Sequence, residues 1–394
     1  RDAAALPLVL LAREAGEVDA PPRFRALVER LAPPGEEPAV PLGLNASLRP
    51  YQVEGFRWLS RMAGWQLGAC LADDMGLGKT VQTLAMLLER GSRGPALVLA
   101  PTSVCFNWVR EARRFAPELN PVLYRETDRD RVLEQLGPDD VLVASYGLLV
   151  RDVDRLSRVR FATLVLDEAQ AVKNVTTQRT RAVRALDAEW RLALTGTPVE
   201  NHVGELFSLF DILAPGLLGT REEFRERFAV PIARDGDVAR RAALGQLVRP
   251  YVLRRTKGEV ARDLPSRTEI QLAVSLGEEE RALYEAVRRD ALAHLDGGAE
   301  RPDRFQVLAA ITRLRQLACH PRLFDPSSAL TSSKLERLVQ LVEDLREGGH
   351  RALIFSQFTS HLALVREALD AREMRYQYLD GGTPEPERRR RVDA

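Results

Sequence analysis

The residues of this sequence best suited to chemistry are Gly76-Leu77-Gly78-Lys79-Thr80, placed after an apolar run at 67–72 and before a helical pattern. Glycines let backbone N–H groups close around phosphates, and the start of a helix adds a favourable field. In that arrangement Lys79 pairs with the β- and γ-phosphates of a nucleoside triphosphate, and the Thr80 hydroxyl ligates Mg²⁺. The strict spacing of such a loop begins with glycine, where this chain has Asp73. Taken alone, the segment also reads as a tight strand-to-helix turn with an exposed lysine. A second signal is Asp167-Glu168, which ends another apolar run at 163–166. A carboxylate at the C-terminal end of a buried parallel strand lies beside the phosphate loop of a neighbouring strand. There Asp167 can hold the Mg²⁺ shell while Glu168 orients and activates the attacking water. A solvated acidic turn is the bland alternative. The two motifs, in this order and at domain-scale spacing, point to a nucleoside triphosphatase.

Such residues need a scaffold that presents loops along one edge. Strand candidates at 67–72, 96–100, 141–145, 163–166 and 192–194 alternate with amphipathic stretches. Val81, Leu84, Ala85 and Leu88 repeat at the spacing of one buried helix face. This alternation predicts an α/β fold with parallel strands and helices on both faces. From about 203 to 262 the pattern is helical and Arg-rich, with no strand candidate. Residues 268–275 then read as extended, and three helical stretches follow. One of these carries Leu335, Leu338, Val339, Val342 and Leu345 on one face. A second α/β alternation begins at 352–356, passes through a helix with Leu362, Val365 and Leu369, and reaches 376–379. The expected organisation is an accessory segment and Pro/Glu-rich linker at 1–44, a first lobe at 45–215, a helical protrusion at 216–265, and the start of a second lobe at 266–394.

A chain of 394 residues suggests two or three domains. Its 45% hydrophobic and 29% charged content excludes a disordered polymer, and no apolar run approaches a membrane span. Lys+Arg number 57 and Asp+Glu 56, so any polyanion site must be a local stripe. The three cysteines, Cys70, Cys105 and Cys319, include no CxxC pair. That spacing argues against a disulfide framework or structural zinc, and it suits a reducing cytosol. His320, beside Cys319, has no ligand-spaced partners. Only Lys79, Lys173, Lys257 and Lys334 are lysines among the 57 basic residues. Codon bias explains the ratio, but a lysine kept against it is a candidate for a site that needs a compact ammonium. The opening residue is Arg1, which suggests a piece of something larger.

The series Leu48-Arg49-Pro50-Tyr51-Gln52, Asp73-Asp74-Met75 with the glycine loop, Asp167-Glu168-Ala169-Gln170 and Thr195-Gly196-Thr197-Pro198-Val199-Glu200-Asn201 resembles the Swi/Snf-type ATPases of helicase superfamily two. Leu99-Ala100-Pro101-Thr102-Ser103 with Asn107-Trp108 is similar to that family's motif Ia, and Val143-Ala144-Ser145-Tyr146 to motif Ib. Leu253-Arg254-Arg255-Thr256-Lys257 with Leu264-Pro265 resembles its brace between lobes. Leu314-Arg315-Gln316-Leu317, Phe355-Ser356-Gln357-Phe358 and Leu379-Asp380-Gly381 resemble its second-lobe motifs. The likeness runs from about Leu48 to the last residue, and the Gly-Thr-Pro-x-x-Asn element is its most specific part.

That resemblance implies two RecA-like P-loop lobes with helical insertions, and ATP and Mg²⁺ as cofactors. Asp73 to Thr80 form the nucleotide loop, Gln52 reads the adenine edge, and Lys79, Asp167 and Glu168 are catalytic, with Thr80 and Asp167 on the metal. Gln170 (where many relatives carry His), Thr195, Gly196, Thr197 and Asn201 couple the nucleotide to lobe movement. Thr102, Asn107, Trp108, Ser145, Tyr146, Arg254, Arg255, Lys257 and Gln357 form the DNA set, touching phosphates without reading bases. The family's motifs V and VI, with their arginine finger, have no counterpart up to Ala394. An incomplete second lobe, with little turnover from these residues alone, is therefore the expectation.

Charge agrees with a local track. Arg110, Arg113 and Arg114 face one Glu111, and Arg249, Arg254, Arg255, Lys257 and Arg262 face one Glu259. An ordinary solvated helix face explains each cluster equally, and Trp108 and Tyr146 read as well as core aromatics. The leading expectation is a cytoplasmic translocase on double-stranded DNA, associated with the nucleoid if bacterial, that displaces bound proteins. One alternative is an RNA-dependent ATPase of the same superfamily. Another is a nucleotide-gated scaffold on RNA polymerase or another complex.

Overall fold

Near-continuous apolar runs become strands buried on both faces, as parallel sheets require. In the computed structural model, which describes residues 37–124, 129–196, 203–260, 268–296 and 303–393, they are β1 (Ala69–Leu71), β2 (Ala96–Ala100), β3 (Asn120–Leu123), β4 (Asp140–Ser145), β5 (Arg160–Leu166), β6 (Asp187–Leu194) and β7 (Val252–Leu253). They form one sheet in the order β3-β4-β2-β5-β6-β1-β7, with every pair parallel. Register is set by apolar residues, for example Leu71 opposite Leu194 and Leu97 opposite Leu164. All five expected strands of this region are present. β3 and β7 are additions that the apolar pattern did not mark.

Alternate strand residues feed two cores. Ala96, Val98 and Ala100 pack with α1 (Pro50–Gly64), α2 (Lys79–Arg90) and α3 (Thr102–Phe115). Leu97 and Leu99 face the other side, with α4 (Tyr146–Arg151) and α5 (Gln178–Arg184). Phe56, Leu59 and Leu84 are fully buried, each stabilising by about 1.5–3 kcal/mol. The far end of α2 is fixed by Arg90, which donates to Thr163 Oγ1 at 3.0 Å, the Ala162 carbonyl at 2.9 Å and Glu189 at 3.0 Å. α6 (Val203–Leu213) leads into short helical turns between 221 and 234 and then α7 (Val238–Val248). Tilted ring pairs, Phe207 with Phe224 and Phe224 with Phe228, their centroids 4.9 and 5.8 Å apart, anchor these turns to α6.

The chain divides into two compact units, Arg1–Pro265 and Ser266–Ala394. The second contains α8 (Glu278–Asp296), α9 (Arg304–Leu317), α10 (Ser333–Glu347), α11 (Thr359–Asp370) and α12 (Glu385–Asp393). Val365, Leu369 and Met374 form its small core with Leu335, Leu338, Val342, Ile354 and Tyr376. The segments 268–275, 352–356 and 376–379, expected as extended, form no ladder among the described residues. A strand is stabilised by its inter-strand hydrogen bonds, and these segments have none. Ile354 turns inward, whereas Leu353 and Phe355 are 86% and 87% exposed. No helix among the described residues is long and apolar enough to cross a membrane.

Candidate functional site

The phosphate-type loop follows β1 and ends at the first turn of α2. Gly76 and Gly78 have φ of +87° and +76°, the left-handed region that favours glycine. A Cβ on Gly78 would also lie 2.3 Å from Gln52 Nε2. Gly78 brings no side chain to cap the twelve-residue α2, so its first-turn N–H groups are open to an anion. Gly196 closes against the loop, since a Cβ there would lie 2.8 Å from Met75 Cγ. Lys79 Nζ donates to the carbonyls of Asp73 at 2.7 Å and Asp74 at 3.2 Å. Burial pulls the Lys79 pKa down, while Asp73, Glu168, Asp167 and Asp74 oppose the shift.

The loop is held from beneath by groups that the sequence reading assigned elsewhere. Asp73, expected as part of the nucleotide loop, is fully buried, and its carboxylate turns to Arg255. Its Oδ1 accepts from Arg255 N at 3.1 Å and Nε at 3.0 Å, and its Oδ2 accepts from Arg255 Nη2 at 2.5 Å. Arg255 also donates to Gln82 Oε1 at 2.9 Å and to the Tyr51 carbonyl. Arg255 is thus a buried ion-pair partner, and its place in the DNA set is corrected. The Leu77 carbonyl accepts from Tyr51 OH, Gln52 Nε2 and Gln82 Nε2 at 3.2, 3.1 and 3.4 Å. Its side chain packs on Tyr51 instead of lining the loop. Gln52 also accepts the Arg49 N–H at 2.9 Å, leaving its amide one donor and one acceptor site for a base edge. Gln82, fully buried one turn after Lys79, was missed; the signal available was a polar residue among buried helix positions.

Asp167 and Glu168 lie at the end of β5, one strand beyond the expected position, because β6 separates β5 from β1. Asp167 Oδ2 accepts from Trp108 Nε1 at 2.7 Å, and Oδ1 from the Glu168 N–H at 2.9 Å. The Asp167 carbonyl accepts from Tyr146 OH at 2.8 Å. Burial pushes the Asp167 carboxyl up, and the Trp108 hydrogen bond pulls it back. Glu168 has φ +48°, a costly conformation for a non-glycine residue. Its Oε2 accepts from Gln170 Nε2 at 2.6 Å, and Gln170 Oε1 accepts from Thr195 Oγ1 at 3.4 Å. Gln170 therefore links two first-lobe groups. Mg²⁺ takes few protein ligands and completes its shell with water and phosphate oxygens. A half-buried, oriented carboxylate fits that requirement, and Thr80 lies in the first turn of α2. Thr197 and Asn201 lie outside the described residues.

The expected DNA set separates by burial. Trp108 and Tyr146 are 1% and 4% exposed, so both are core aromatics holding Asp167, and their assignment to DNA is corrected. Ser145 is buried too, its hydroxyl accepting from Leu148 N at 3.2 Å to cap α4. Thr102, Arg110, Arg113 and Arg114 are exposed on α3, and Asn107 is half-buried between Glu111 and Arg110. Arg254 is exposed. Lys257 is also exposed, but its backbone N donates to Asp74 Oδ2 at 3.0 Å and its ammonium lies beside Gly76, 3.5 Å from where a Cβ would be. In the second unit, Gln357 is exposed and accepts from Arg315.

Comparison with known proteins gives a consistent result. A family model described as SNF2-related domain matches residues 51–323. The putative ATP-dependent helicase/translocase YwqA of Bacillus subtilis is 37% identical over 90% of this chain and 40% of its own length. The ISWI chromatin-remodeling complex ATPase CHR17 of Arabidopsis thaliana is 32% identical over 90% of this chain and 35% of its own length. The chain thus spans two-fifths or less of these relatives. Among solved structures, the Sulfolobus solfataricus SWI2/SNF2 ATPase core in complex with dsDNA is 35% identical with a TM-score of 0.56, covering 90% of this chain and 76% of that one.

Proposed function

Because the chain belongs to the SNF2-related family, we propose that it carries the ATP-hydrolysing part of a motor that moves along double-stranded DNA and displaces bound proteins. The observation that supports this reading is the pairing of an uncapped helix N-terminus at Lys79 with an oriented carboxylate pair at Asp167-Glu168. Loop N–H groups and Lys79 bind the triphosphate, and Gln52 offers its remaining amide groups to the base. Thr80 and Asp167 hold Mg²⁺, whose chemistry when bound is to neutralise charge on the phosphate oxygens. Glu168 orients the attacking water and accepts its proton, with Gln170 setting its carboxylate from one side. The chain Glu168–Gln170–Thr195 links this base to the segment beginning at Gly196.

The exposed face of α3, with Thr102, Asn107, Arg110 and Arg113, supplies phosphate contacts, and Arg254 extends the basic surface. Such contacts carry no sequence information, which suits a motor that must pass every sequence. A related core solved with dsDNA supports the choice of duplex DNA. The expected compartment is the cytoplasm. The test is the ATPase rate of the full-length protein with duplex DNA, single-stranded DNA and RNA at fixed salt. Duplex DNA should stimulate most and should drive displacement of a triplex-forming strand. Stimulation mainly by RNA, or by no nucleic acid, would overturn the reading.

A further inference from the structure

Two tryptophans of the first unit are almost fully buried, and they use their indole N–H groups differently. Trp190 donates to the Leu67 carbonyl at 2.8 Å, the ordinary solution for a core indole. Trp108 instead donates to the carboxylate of Asp167 at 2.7 Å. A free carboxylate turns easily about its last side-chain torsion, which is broad and two-fold. Here each oxygen has one fixed donor, Trp108 Nε1 on Oδ2 and Glu168 N on Oδ1. Tyr146 OH pins the carbonyl of the same residue. The carboxylate is held in one orientation with lone pairs left over for a cation.

Trp108 is also part of α3, whose opposite side exposes Thr102, Arg110 and Arg113. Thr102 and Trp108 are six residues apart on one helix, about 9 Å along its axis. A displacement of about 0.5 Å in α3 would move the indole hydrogen bond to the limit of good geometry. We propose that Trp108 is a positioning residue that fixes Asp167 for its cation, and that through α3 it reports nucleic acid bound on the exposed face to the ATP site. The second half rests on the proposed reading of α3 as a DNA face; the first half does not.

The test uses Trp108→Phe in the full-length protein, with a fluorescent ATP analogue titrated in EDTA and again in Mg²⁺. Affinity in EDTA should stay near the parental value, while the gain in affinity on adding Mg²⁺ should fall about tenfold or more, the scale of a hydrogen bond to a charged group. A purely structural role would lower both affinities together, and that result, or an unchanged Mg²⁺ gain, overturns the positioning role. Duplex DNA stimulation, normalised to each protein's own basal rate, should also drop in the variant. Full stimulation of the variant overturns the reporting role. Absence of stimulation in the parent removes the DNA reading, and the reporting role with it, while the Mg²⁺ arm still decides the first half. If Trp108→Phe does not fold, Tyr146→Phe decides in its place. It removes only a hydroxyl and should reduce the Mg²⁺ gain about twofold to tenfold; no reduction overturns the proposal.

Discussion

Replacing Arg255 by methionine should unfold the first unit at markedly lower denaturant. Asp73 is fully buried and the Arg255 side chain 11% exposed, so water cannot replace the lost partner. The substitution deletes the donors at 3.0 and 2.5 Å and leaves, among the described residues, the backbone N–H at 3.1 Å on the Asp73 carboxylate. It also strips a donor from Gln82 Oε1 and from the Tyr51 carbonyl. Removing one partner of a buried ion pair costs about 3–5 kcal/mol, mostly because the other charge stays uncompensated. With an m-value of about 3 kcal/mol/M, the urea midpoint should fall by about 1–1.7 M. Tryptophan fluorescence reads this unit selectively, because all four tryptophans (Trp58, Trp65, Trp108 and Trp190) lie within it. The double variant Asp73→Leu with Arg255→Met should recover most of the loss, since an apolar pair of similar volume is often neutral. A midpoint shift below about 0.3 M in the single variant, or a double variant no better than the single, would refute the assignment.

Glu168→Gln should retain ATP binding and lose turnover by about 10²- to 10⁴-fold; parental hydrolysis would exclude Glu168 as the base. Lys79→Ala should weaken nucleotide affinity itself, which calorimetry would contradict if affinity were unchanged. Cys70 is buried with its thiol pushed up to about 12, so thiol reagents at pH 8 should label the half-buried Cys319 first and reach Cys70 only on unfolding. Prompt labelling of Cys70 in the folded protein would contradict this. Burial lowers the pKa of both His320 and His361 below the ordinary 6.5. The unfolded chain then binds more protons than the folded one, so stability is complete above about pH 6.5 and falls as pH drops through the folded values. Hydrogen exchange over 303–393 should report this loosening at pH 5.5 relative to 7.5, and equal protection would count against it.

The glycine loop, the start of α2 and the strand end at Asp167 were legible because glycine, lysine and acidic residues at fixed offsets from apolar runs describe local geometry. Strands β2, β4 and β5 were legible for the same reason: each is a continuous buried run. β3 escaped because it is an edge strand containing Pro121, and β7 because two residues carry no period. What the sequence could not show is which of several like residues turns inward. Arg254 and Arg255 are adjacent and chemically identical, yet one faces solvent and the other Asp73, 182 residues away. Trp108 and Tyr146 sit in motifs that resemble DNA-contact motifs, but partners 59 and 21 residues distant decide their role.

The pairing of β7 with β1, and of Arg255 with Asp73, has a consequence for synthesis. β1 is made early, but its outer neighbour and the counter-charge of its loop arrive only after residue 255. At translation rates of about 5–20 residues per second, the 182 residues between Asp73 and Arg255 leave an interval of about 10–40 s. During that time β1 waits first for β6 and then for β7, and Asp73 has no arginine to bury against. The phosphate loop is therefore among the last parts of the first unit to become native, although it is encoded near its start. A nascent chain arrested before residue 255 should hold the β2–β6 sheet yet bind no nucleotide. Arrest after this strand has cleared the ribosome should restore binding in a single step.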